Sequence, residues 1–141
     1  MIGILVAGHG SSARHLIGAV EMIAGLQENL QPIDLLPDQG LEDVTQTLHQ
    51  ACQNLLQQTS GVLALVDLQG GTPANAVCML VTTYHISIES GVNLPMLLEV
   101  LHCRQEKTLE ELADIAVRSG KEAIKDISIL FKARLEKLNG S

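Results

Sequence analysis

Aromatic side chains are almost missing from this sequence: 141 residues hold one Tyr, one Phe and no Trp. Any core must therefore be aliphatic. Basic runs are missing too. Nine Lys and Arg stand against 16 Asp and Glu, a net charge of −7, which disfavours nucleic acid and anionic membrane surfaces as partners. No apolar stretch approaches the ~20 residues of a membrane helix, so membrane association would run through a partner protein. The apolar start, Met1 to Ala7, is too short for a signal peptide and runs into Gly8-His9-Gly10. Cysteine is scarce. Cys52, Cys78 and Cys103 form no CxxC pair, and an odd count is a poor disulfide framework. All three read as reduced, buried small hydrophobes of a cytoplasmic protein. The five histidines show no HxH or HxxxH spacing, so no metal site is expected.

What is present is a regular alternation. Apolar residues make up 46% of the chain, which argues against disorder, and the whole span 1–141 reads as a single domain. Ile2 to Ala7 is a continuous apolar run of the kind that suits a strand buried on both faces. A helical pattern follows from about Ala13 to Gln27, with Leu16, Ile17, Val20, Ile23 and Ala24 on one face. Pro32 to Leu36 reads as a second strand, and Leu41 to Gln57 as a second helix. Gly61 to Val66 is another buried strand, closed by Asp67. Thr72 before Pro73 fits an N-cap opening a helix to about Val81. Ile86 to Val92 is the fourth strand. Asn93 caps a helix from Leu94 to about Cys103, and Thr108 to Glu111 is a capping box for one more. Ile127 to Phe131 fits either a fifth strand or part of a terminal helix.

Strands alternating with helices imply parallel pairing with right-handed crossovers. The expected fold is an α/β, open, doubly wound sheet of four parallel strands in order 2-1-3-4, with a possible fifth, antiparallel strand near the C-terminus. Ligands of such sheets bind at the carboxyl ends of the strands, where the order reverses. His9 lies at the end of strand 1 and Asp67 at the end of strand 3, which are neighbours in that order. A carboxylate on one ring nitrogen fixes the imidazole tautomer and leaves the other nitrogen nucleophilic. Amides at two helix starts, glycines that let the backbone come close, and hydroxyls of Ser11, Ser12 and Thr72 suit an anion. The set fits phosphoryl transfer through a phosphohistidine. Taken alone, Gly8-His9-Gly10 is equally a plain turn.

The remaining polar groups read as structure. His15 and His49 lie on helices, and His85 precedes the fourth strand. His102 and Arg104 suit a helix C-terminus. Glu110, Glu111 and Asp114 form a solvated face, and Met79 and Met96 fill core. Glu99 has no assigned role.

At this level the sequence resembles the mannose-type IIA component of the phosphoenolpyruvate:sugar phosphotransferase system. The resemblance lies in the N-terminal strand with GHG, in EMIAGLQEN (21–29), in GVLALVDLQGGTPAN (61–75) and in SGVNLPMLLEVL (90–101). It implies a cytoplasmic carrier that takes a phosphoryl group from the phosphocarrier HPr. The carrier passes it to a IIB component, which phosphorylates sugar entering through a membrane IIC/IID complex. His9 stands at the family's phosphorylated histidine, with Nε2 the phosphorylated nitrogen, and Asp67 at its aspartate partner. Gly10, Ser11, Ser12, Gly70, Gly71 and Thr72 would hold the phosphoryl oxygens. The family uses no metal or organic cofactor. Many members are homodimers that exchange the fifth strand, here Ile127 to Phe131. Competing readings are a regulatory IIA-like domain of a transcriptional activator, a phosphodonor subunit for dihydroxyacetone kinase, and a tetrapyrrole metal chelatase. The chelatase needs a second ligand facing His9, and His85 is at the wrong end of its strand for that.

Overall fold

The computed structural model describes residues 1–140. Four strands, β1 (Gly3–His9), β2 (Leu30–Leu35), β3 (Val62–Val66) and β4 (Ile86–Ser90), alternate with helices. The helices are α1 (Ser12–Ala24), α2 (Leu41–Leu56), α3 (Thr72–Cys78), α4 (Leu94–Cys103), α5 (Leu109–Glu122) and α6 (Ile127–Asn139). The sheet is parallel in the order β2-β1-β3-β4, as the alternation of elements implies.

Strand periodicity divides the core into two layers. Ile2, Ile4 and Val6 of the first strand segment, with Leu63 and Leu65, face α1, α4 and α5. Leu5, Ala7, Val62, Ala64 and Val66 face α2 and α3. All five β3 residues and the first six of β1 are buried, which is why these segments read as unbroken apolar runs. Two of the three capping signals hold. Asn93 accepts from the Met96 amide at 2.9 Å, and Thr108 and Glu111 bond each other's backbone reciprocally.

Several sequence expectations need correction. Ile127 to Phe131, open between a fifth strand and a terminal helix, is the start of α6 and forms no fifth strand. Asp126 caps that helix by accepting from the Ile129 amide at 3.1 Å. A helix satisfies its own backbone, whereas a fifth strand needs an edge to pair with. Thr72 is the first helical residue, with Gly71 at the cap position, and α3 stops at Cys78 rather than Val81. Cys52 is buried, and burial pushes its thiol up to about 11. Cys78 is exposed instead, because it ends the short α3. Met96 fills core, but Met79, just beyond α3, is 58% exposed. Ile23, in the last turn of α1, points to solvent rather than to the core.

Candidate functional site

His9 is the last residue of β1, and Asp67 directly follows β3. The β1–β3 register pairs Ala7 with Val66, and the Asp67 amide donates to the Ala7 carbonyl at 3.2 Å. Two residues 58 apart in sequence are thereby locked side by side. Both the backbone amide and ring Nδ1 of His9 meet Asp67 Oδ2, at 2.9 Å and 2.8 Å.

Burial by itself would raise the Asp67 carboxyl. Hydrogen bonds from the His9 amide and ring, helped by the electrostatics of the nearby imidazole and the Leu68 amide, outweigh it, and the group is held below its ordinary value. The ionised carboxylate only accepts, so Nδ1 carries the proton and Nε2 keeps its lone pair. The His9 side chain is half exposed, open to an incoming reactant.

The other side of the ring is set by Gly71. A Cβ on Gly71 would lie 2.8 Å from His9 Cε1 and 3.5 Å from Nε2. Only a residue without a side chain lets the β3–α3 loop approach the imidazole this closely. Gly10 and Gly70 take φ of +57° and +82°, the left-handed region that glycine enters without strain.

The predicted oxygen-binding residues do not contribute alike. The amides of Gly10 and Gly71 donate to the Leu35 and Leu68 carbonyls, at 2.7 Å and 3.3 Å, so these glycines supply room rather than donors. Ser12 and Thr72 open α1 and α3, where first-turn amides lack helical acceptors. Neither the Ser11 nor the Thr72 hydroxyl caps its helix. The Ser12 hydroxyl lies over Gly8, on the Asp67 side of the site: a Cβ on Gly8 would collide with Ser12 Oγ and come within 3.4 Å of Asp67 Oδ2.

Sequence reasoning passed over Asp34. It sits opposite Gly8 in β2, and its Oδ1 accepts from the Arg14 amide at 3.3 Å while its Oδ2 lies 3.6 Å from Arg14 Nε. Its position at a strand end was the available signal. His85 lies at the opposite end of the sheet, where its carbonyl accepts from the Val62 amide that starts β3. The geometry does not bring it to His9.

Residues 3–117 match the family described as the PTS system fructose IIA component. The chain belongs to this mannose-type IIA family. It is 38% identical over 126 residues to the mannose-specific EIIAB component of the phosphotransferase system of Escherichia coli K12, covering 88% of this chain. The chain spans only 39% of that relative's length. It is 34% identical to the fructose-specific EIIA component of Bacillus subtilis, over 79% of this chain and 77% of the relative. Among solved structures, the phosphotransferase system component EIIA from Streptococcus agalactiae superposes with a TM-score of 0.81 at 32% identity, covering 92% of this chain and 99% of that one. A mannose-type IIA chain is thus a component of a phosphotransferase system. Among its described residues, no helix is long and apolar enough to cross a membrane.

Proposed function

We propose that this IIA chain is a phosphoryl carrier, with His9 as the phosphorylated nucleophile and Asp67 as the group that orients it. The observation that carries the reading is the doubly bonded His9–Asp67 pair, with the Cε1–Nε2 edge of the ring turned to Gly71. The Nε2 lone pair attacks the phosphorus of phosphohistidyl HPr in line. A new N–P bond forms as the N–P bond to HPr breaks, and the imidazole of HPr leaves with that electron pair. The Nδ1 proton stays on His9, and Asp67 offsets the positive charge the ring gains. Free amides of Ser11, Ser12 and Thr72 and the hydroxyls of Ser11 and Thr72 serve the phosphoryl oxygens, in space left by Gly10, Gly70 and Gly71. Transfer to a IIB component is the reverse step with a new acceptor, coupling to IIC/IID at the membrane. Span 1–141 acts as one domain in this scheme, located in the cytoplasm, without metal or organic cofactor.

The test is incubation with phosphoenolpyruvate, enzyme I and HPr, followed by intact mass. One acid-labile phosphoryl group is expected on the wild type and none on His9→Ala. Asp67→Asn is expected to slow transfer while the domain stays folded. Labelling of His9→Ala at another residue would overturn the assignment.

A further inference from the structure

Asp67 has two carboxylate oxygens and His9 uses only one. Oδ2 receives both His9 bonds; the neighbouring Leu68 amide acts on the carboxylate without a well-formed hydrogen bond, and Oδ1 is buried with no such partner among the described residues. A buried acceptor without a partner is costly and calls for an explanation. A cavity of about 180 Å³ lies beside it, lined by Val6, Gly8, Ser12, Leu16, Asp67 and Val92 among others. That volume far exceeds the room one water needs, and a water is held there only where polar groups converge. Asp67 and the Ser12 hydroxyl supply them. The Ser12 hydroxyl is drawn back over Gly8, where any larger residue would push it away.

Strand alternation explains why these groups share one side. Even-numbered β1 residues, Gly8 included, face α1, as do odd-numbered residues of β3, so Asp67 at the end of β3 turns toward α1. The Gly71 loop approaches the imidazole from the other layer, where α3 packs. The hydroxyl of Ser12 and the loop of Gly71 are therefore not equivalent neighbours of one phosphoryl group.

We infer that Ser12 is a positioning residue: its hydroxyl donates to a water in this cavity, and that water donates to Asp67 Oδ1. The inference rests on the His9–Asp67 reading above and deepens it. With both oxygens engaged, the carboxylate cannot swing about its Cβ–Cγ bond. Oδ2 stays on Nδ1, and Nε2 stays the unprotonated, presented nitrogen. Ser12 acts on the nucleophile through Asp67, while its backbone amide remains available to phosphoryl oxygens.

The experiment reads the imidazole directly. Ring-nitrogen NMR of the unphosphorylated chain, well above the titration range of histidine, reports the balance of Nδ1–H and Nε2–H tautomers at His9. Ser12→Ala is expected to shift that balance toward Nε2–H and to slow phosphoryl acceptance about fivefold, the value of one hydrogen bond. Ser12→Thr should restore both, and Ser11→Ala should leave the tautomer balance as in the wild type. Alanine is well tolerated at an exposed helix start, and a far-ultraviolet melt checks that each variant is folded. A wild-type ring signature in Ser12→Ala would overturn the inference. So would slower acceptance with an unchanged tautomer, which would make the hydroxyl a phosphate ligand instead. The NMR result needs no partner protein, so it stands or falls separately from the identity of the phosphoryl donor.

Discussion

At the residue scale, the proposed function turns on an absent side chain as much as on present ones. Gly71 has an extended φ of −79°, which any residue adopts. Its requirement is one of space, because His9 Cε1 stands 2.8 Å from where a Cβ would be. The ring can give way only by rotating off Asp67 Oδ2. Gly71→Ala is therefore expected to cost about 10- to 100-fold in phosphoryl acceptance through misplacement of Nε2, with the fold intact by circular dichroism. Acceptance at the wild-type rate would show that the loop gives way and the ring does not. The motif was legible as glycines beside a histidine, but Gly10 and Gly71 looked interchangeable. They differ because one relieves a left-handed turn and the other a contact across the sheet end.

At the element scale, the helices and strands follow closely from local patterning, and departures cluster at their ends. Terminal residues are held by contacts made elsewhere in the chain. Arg104 is the clearest case. Its place after α4 suggested a favourable charge at a helix C-terminus. In the fold its side chain is 4% exposed, and the guanidinium donates to the Asn29 carbonyl at 3.1 Å and the Glu28 carbonyl at 2.6 Å. Burial pulls its basicity down, and nearby Glu28 restores part of it. Asn29 takes a φ of +51°, so the guanidinium fastens a left-handed corner that leads into β2. Arg104→Met is expected to lose about 2–3 kcal/mol, since it leaves two carbonyls without their charged donor. Urea unfolding measures it, and an unchanged midpoint would mean that the corner holds without the guanidinium.

At the scale of the whole molecule, α6 stands apart. Its large apolar residues, Ile127, Ile129, Leu130, Phe131, Leu135 and Leu138, are all exposed, and Ile124 just before it is 78% exposed. Within α6, Ile127, Phe131, Leu135 and Leu138 recur at spacings of three and four and so fall on one stripe. Such a stripe is ordinarily covered. The family resemblance implies a homodimer exchanging a fifth strand here; with the segment helical instead, we propose that a second copy of the chain covers this helix face. Sedimentation velocity is expected to show a dimer for the wild type and a monomer for Phe131→Glu. A monomeric wild type at micromolar concentration would remove the proposal.

The sequence alone determined the strand–helix alternation, and with it the parallel sheet, its reversal between β1 and β3, and the meeting of His9 with Asp67. Each depends on periodicities of two and 3.6 residues and on a topological rule, all of which local patterns carry. Tertiary structure decided the rest: which oxygen of Asp67 is used, which layer Ser12 faces, why Gly71 must lack a side chain, where Arg104 is buried and how residues 127–131 fold. Those are matters of distance between segments far apart in the chain, and no local spacing encodes such a distance.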